Sequence, residues 1–146
     1  MRKEPRRNDL KYPELSYLIV GCAYEVFNEI GFGHPEKTYQ KAMQIIFDEK
    51  KINSKRENYY PISFRGKLIG KNYFDFLVEG KIVVELKKDM RFSKSHMDQV
   101  LGYLQKSGLE LAILINFGKE GVYTTRVIND KNYVKPKNQE DAKEQE

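Results

Sequence analysis

Apolar residues recur at steps of three and four in two early stretches of the chain, then at steps of two. Over Pro13–Ile30 the positions Leu15, Leu18, Ile19, Cys22, Val26 and Ile30 trace one stripe of a helix. A proline suits its first turn, and Gly31-Phe32-Gly33 closes it. A second stripe, Tyr39, Ala42, Met43, Ile46 and Phe47, predicts a helix from residue 35 to about residue 51. Glu36 sits in its first turn, where a carboxylate favours the helix dipole. Tyr60, Ile62 and Phe64 then alternate with polar neighbours and lead through the turn Arg65-Gly66-Lys67 into a long strand, residues 68–78. Glu79-Gly80 turns the chain into a strand over residues 81–87. Ser93 or Ser95 caps a helix that reaches Lys106 and ends at Gly108. The unbroken apolar run 111–117 predicts a central buried strand, and residues 122–128 a last one. The order is ααβββαββ, an α/β (α+β) domain with a mixed sheet flanked by helices.

Composition narrows this further. The chain has 146 residues, 40% of them hydrophobic, which is enough for one core in one domain over residues 12–128. Residues 1–11 carry five basic and two acidic side chains and read as a basic arm. Residues 129–146 are nearly all polar or charged, cannot offset their ordering entropy by burial, and read as a flexible tail. No apolar run approaches the roughly 20 residues of a membrane helix, and no apolar stretch follows the basic start as in a signal peptide. A single cysteine excludes an internal disulfide framework, and with only two histidines it argues against structural zinc. A cytoplasmic setting is the expectation. The balance of 26 basic and 21 acidic residues, net +5, permits an anionic partner without requiring one.

The candidate chemistry lies in the second half. Asp75 is a lone acid within Tyr73-Phe74-Asp75-Phe76-Leu77-Val78, where desolvation is costly unless something compensates it. Glu85 and Lys87 share one face of the next strand, after the apolar run Ile82-Val83-Val84. On the following helix His96, Gln99 and Tyr103 form a polar ridge, while Met97, Val100, Leu101 and Leu104 form the apolar side. A two-residue loop would place Asp75 opposite Val84 and Glu85 on the other face. An odd loop over residues 78–80, with Gly80 left-handed and a bulge, places Asp75 opposite Val83 and makes Glu85 a diagonal neighbour on the same face. The odd loop is the expectation. Two carboxylates on one face suit a hard divalent cation with oxygen ligands, and Lys87 can position a water or steady charge on a phosphate. Such a set suits metal-assisted phosphodiester hydrolysis. Taken alone, Asp75 is also compatible with an edge-strand acid paired to a lysine, and Glu85 with Lys87 with a solvated ion pair.

Asp75 followed by Glu85-x-Lys87 resembles the PD-(D/E)XK nuclease superfamily. Gln99-x-x-x-Tyr103 is similar to the QxxxY motif of its exonuclease-like branch, and Gly33…Glu36…Tyr39 resembles the signature of the GxxExxY proteins placed in that superfamily. The resemblance runs from about Leu15 to Ile128. It implies a restriction-endonuclease-like core and cleavage of nucleic acid, DNA foremost, dependent on Mg²⁺ or Mn²⁺. It makes Asp75, Glu85 and the Leu86 carbonyl metal ligands, Lys87 the catalytic lysine, and Glu36 an additional acid at the metal. Gln99 and Tyr103 would support the site or touch substrate. Lys88, next to the acids, reads as a phosphate contact, and so does Arg91. His96 is within reach of phosphate along the ridge, and Tyr39 belongs to the supporting set. Phe74 stands where many members have proline. A non-cleaving nucleic-acid-binding or protein-interaction module on the same fold is the rival reading. Oligomeric state, monomer or homodimer, is left open.

Overall fold

The computed structural model describes residues 12–88 and 92–129, the side chains of Asn58 and Lys88 excepted. The expected basic arm, Arg91 and the tail beyond residue 129 lie outside the described residues. Asn129, expected to begin that tail, is tied into the fold: its side-chain amide donates to the carbonyls of Leu104 (3.1 Å) and Leu109 (3.0 Å).

Helix α1 spans Pro13–Ile30, as its stripe predicts. Its buried positions are Ser16, Ile19, Cys22, Ala23 and Val26, so Leu18 and Ile30 fall outside the buried face. Helix α2 spans Glu36–Glu49, with Pro35 as an extended N-cap rather than a helical residue. Strand β1 is Ser54–Phe64, starting six residues before the alternation at Tyr60 becomes readable. The reason is that its first residues, Ser54-Lys55-Arg56, are polar, so no apolar alternation marks them. β2 is Lys67–Val78 and β3 is Ile82–Lys88. Helix α3, Lys94–Ser107, is capped by Ser93, whose Oγ accepts from the His96 N–H at 3.1 Å, and it ends on left-handed Gly108. β4, Leu111–Gly118, is buried at every position, and β5 is Gly121–Ile128.

The five strands of the described residues form one mixed sheet in the order β1-β2-β3-β4-β5. β3 and β4 run parallel, joined through α3, and the other described pairs are antiparallel. Side chains on one face, including Phe76, Val84, Leu86, Ile113 and Phe117, pack with α1 and α2; Tyr39 stacks on Phe117 with ring centroids 4.2 Å apart. The other face packs Val83, Ala112 and Leu114 against Val100, Tyr103 and Leu104 of α3.

The β2–β3 connection is odd, but its residues are Glu79-Gly80-Lys81, and the register is Val78↔Ile82 and Leu77↔Val83. Asn53 sets this. The Glu79 N–H donates to the Asn53 carbonyl (2.7 Å), and the Asn53 N–H donates back to Glu79 Oε1 (2.8 Å). Glu79 is thereby held out of the ladder with φ 53°, beside Gly80 at φ 64°. Continuing this register puts Asp75 directly across from Glu85, not from Val83 as the loop over residues 78–80 required.

Candidate active site

The sheet opens at Asp75. On one side the ladder to β3 stops at Phe76↔Val84. On the other, Glu57 of β1, which would face Asp75, turns left-handed (φ 52°) and leaves the register between Arg56↔Phe76 and Asn58↔Phe74. Strand alternation breaks at the same place. Phe76 belongs to the core under α2, whereas Phe74, two residues earlier, stacks on Tyr103 of α3 at 4.8 Å. Freed backbone groups are then satisfied by side chains. The Leu86 N–H donates to Asp75 Oδ2 at 2.7 Å, and the Asp75 N–H donates to Glu85 Oε1 at 3.2 Å. A strand residue directs its N–H and carbonyl to the same edge, so the Leu86 carbonyl faces this opening too.

The two carboxyls touch. Burial comes first, and the hydrogen bond and charge of Asp75 come next, in raising Glu85 far above the ordinary carboxylate range; Glu36 adds to this. Burial and the neighbouring Asp75 thus favour the protonated form of Glu85. His96 lies with Nε2 3.5 Å from Glu85 Oε2, without the alignment of a hydrogen bond. Burial and the Lys87 ammonium lower its pKa, against the pull of Glu36 and Asp75, so it is neutral at pH 7. Lys87, 44% exposed, places Nζ 4.0 Å from Glu36 Oε1 at the first turn of α2.

Gln40 is a participant that sequence reasoning missed. It is 3% exposed, donates from Nε2 to Asp75 Oδ1 (2.9 Å), and accepts from an Arg56 guanidinium nitrogen (3.0 Å). The signal was its spacing: Gln40 lies one turn after Glu36 on the same helix face. Beside these groups opens a cleft of about 520 Å³ lined by Glu36, Lys37, Gln40, Glu57, Tyr73, Phe74 and Asp75.

The structure thus brings together Asp75, Glu85, Leu86 and His96, with Lys87 and Glu36 beside them. Among the described residues, no three His, Cys, Asp or Glu side chains converge as a metal cage; Glu36 lies near enough to the acid pair for its charge to raise the pKa of Glu85. Tyr103 is not on a polar ridge; it is 8% exposed and lies in the α3 core between Phe74 and Tyr60. Its ring follows Val100 and Leu104 because those three positions share one helical face. Gln99 is exposed and makes no hydrogen bond to the acids among the described residues. Tyr39 is fully buried, out of a substrate's reach, and donates its hydroxyl to the Gly31 carbonyl at 2.6 Å, fixing the loop that leads to Glu36. Of Lys88 only the backbone, paired opposite Phe117, is described.

Two carboxyls brought side by side, that of Glu85 buried, with a carbonyl alongside, are a donor set for a hard dication, whose charge would offset the crowding of the acids. A family model of the PD-(D/E)XK nuclease superfamily matches residues 13–127. The chain belongs to this superfamily. A nuclease superfamily implies a nucleic-acid substrate. No curated protein matches the chain. Among solved structures, the protein designated SSO0001 is similar at 19% identity over 83% of this chain, with a TM-score of 0.47. The chain spans 59% of that protein's length. An alkaline exonuclease (LHK-Exo) from Laribacter hongkongensis is similar at 10% identity over 82% of this chain and 71% of its own, with a TM-score of 0.46. No described helix of this PD-(D/E)XK chain is long and apolar enough to cross a membrane.

Proposed function

We propose that the chain is a divalent-metal-dependent nuclease that hydrolyses phosphodiester bonds of DNA, with Mg²⁺ or Mn²⁺ as its ion. The observation that carries this is the crossed pair of contacts at the opening of the sheet, Leu86 N–H to Asp75 Oδ2 and Asp75 N–H to Glu85 Oε1, which brings both acids to one place. Asp75, Glu85 and the Leu86 carbonyl would hold the ion, which when bound would make water more acidic and offset charge on the phosphate. Gln40 and the Leu86 N–H fix the rotamer of Asp75. His96, neutral and beside Glu85 Oε2, limits the movement of that carboxyl once its proton is gone. Lys87 presents a cation that orients a water and steadies developing charge on the phosphate. Glu36, beside Lys87, would keep the ammonium at the mouth of the site and ligate the ion or orient a water there.

Gln99, exposed one turn beyond His96, would contact the substrate backbone, and Lys88, at the end of β3, a phosphate. Tyr103 supports the site from below through Phe74. Gln99 and Tyr103 favour the exonuclease-like QxxxY branch. Glu36 at the start of α2, with Tyr39 pinning the loop before it, favours the GxxExxY group.

The test is an assay on end-labelled single- and double-stranded DNA with Mg²⁺, with Mn²⁺ and with EDTA. Cleavage is expected only with metal, and is expected to fall at least roughly a hundredfold in Asp75→Asn and Lys87→Ala. Cleavage that persists in EDTA, or undiminished in Asp75→Asn, would overturn the assignment. Products released one nucleotide at a time from an end mark an exonuclease; internal fragments mark an endonuclease.

A further inference from the structure

Beyond Asp75 the β1–β2 hairpin continues as a two-stranded ribbon with no support from β3, whose ladder ends at Phe76↔Val84. Such a ribbon is marginal in water by itself, yet this one exposes Phe64, Leu68, Ile69, Tyr59 and Tyr73, each 46% or more. Its charge is one-sided. Residues 58–73 carry Arg65, Lys67 and Lys71 and no acid, in a chain with 21 acids. All three cations are exposed, and none has an ion-pair partner among the described residues. Two are held over exposed rings instead: Arg65 at 5.1 Å from the Phe64 ring and Lys71 at 5.9 Å from the Tyr73 ring.

The ribbon face is continuous with the candidate site. Tyr59↔Tyr73 and Pro61↔Lys71 are cross-strand pairs of one face, and the opposite face, with Tyr60, packs toward Tyr103. Tyr73 itself lines the cleft that contains Asp75. From Tyr73 to Lys67 the strand covers about 20 Å at roughly 3.4 Å per residue, and the register shift between Ile62 and Ser63 pairs Lys67 with Phe64 on the Tyr60 side, so the cations lie on both sides of the ribbon's outer end. That length matches about six base pairs at roughly 3.4 Å per pair along one strand. A two-stranded ribbon also has the cross-section of a DNA groove.

We propose that this hairpin is a nucleic-acid clamp: Lys71 on the cleft side, and Lys67 with Arg65 at the outer end, hold phosphates of the strand leaving the acid cleft, and Tyr73 with Tyr59 meets the nucleotide nearest it. The partner is the sugar–phosphate backbone. Two copies of an acid-free ribbon would repel, which argues against a second chain as the occupant. The proposal rests on the nuclease reading for where the strand is cut, but not for whether it binds.

The experiment measures binding of a labelled 20-mer DNA, single- and double-stranded, by anisotropy in EDTA across a salt series. It compares the Asp75→Asn chain with the same chain carrying Arg65→Gln, Lys67→Gln and Lys71→Gln. The triple change is expected to weaken binding at least roughly tenfold and to reduce the slope of log affinity against log salt by about 2.7 for duplex or about 2 for single strand. In the otherwise native chain it is expected to leave hydrolysis of bis(p-nitrophenyl) phosphate, too short to reach the ribbon, unchanged. An unchanged slope and affinity would overturn the clamp, and so would loss of a dimer instead of loss of DNA in a sedimentation measurement. Equal losses on the short and long substrates would also overturn it, since they mark damage to the site. Lost DNA binding in a chain that cuts nothing under any metal keeps the clamp and removes the nuclease reading.

Discussion

Burial and the adjoining Asp75 carboxylate both favour the protonated form of Glu85. Its native pKa is raised above the unfolded value of about 4.3. Its contribution to stability is therefore whole below about pH 4.3, and declines as pH rises toward the native value, because the unfolded chain gives up the proton first. Glu85→Gln imitates the protonated form. In EDTA at pH 8 the variant is expected to melt roughly 4 °C or more above the native chain, a difference of about 1 kcal/mol at this size, and at pH 4 to melt with it. Equal melting at both pH values would remove Glu85 from the buried pair. Gln40 acts by position: with Gln40→Leu, Asp75 loses a donor and Arg56 an acceptor. Metal affinity by Mn²⁺ titration is expected to fall about 10- to 100-fold. Both acids were legible in the sequence because a carboxylate inside an apolar strand is costly and so conspicuous. Gln40 was not, because an uncharged amide on a helix attracts no notice until its partners are located.

Among the elements, periodicity sufficed wherever a stripe met a core. It placed both ends of α1 and named Ser93 as one of two candidate caps for α3. It failed on β1, whose first residues are polar, and on the hairpin register, which depends on the reciprocal Asn53–Glu79 contact between segments 26 residues apart. Strict alternation would put Phe74 and Phe76 on one face, whereas the opening at Asp75 sends them to opposite cores. Likewise Tyr103 looked polar by its hydroxyl but packs by its ring. The cap on α3 does more than end a helix, since the His96 N–H is the group that Ser93 accepts from. Ser93→Ala is expected to cost about 1 kcal/mol in urea unfolding and to loosen His96 at Glu85. An imidazole NMR titration then moves back up toward the ordinary histidine range. A cost in stability with an unmoved His96 titration would confine Ser93 to the helix.

At the scale of the molecule, the site sits where the two cores part. Gln40 and Glu36 come from the helix layer on one face, and His96 from the helix on the other, while Asp75 and Glu85 belong to the sheet between them. An ion held there bridges elements that separate on unfolding, so it acts on the stability of the whole domain. Binding to the native state alone stabilises by about 2.7 kcal/mol at a hundredfold excess over Kd. Because the ion replaces the proton on Glu85, binding is expected to release about one proton near pH 7, and affinity to fall by up to about tenfold for each pH unit below that. Calorimetry in two buffers of different ionisation enthalpy counts the proton, and thermal melts against Mn²⁺ give the stabilisation. Asp75→Asn should abolish both signals, and Glu85→Gln should abolish the proton release while retaining a weaker melt shift. A native chain whose melting temperature ignores Mn²⁺ and Mg²⁺, yet which still binds DNA, would be the non-cleaving module on the same fold: the acid pair would then be held by its hydrogen bonds alone.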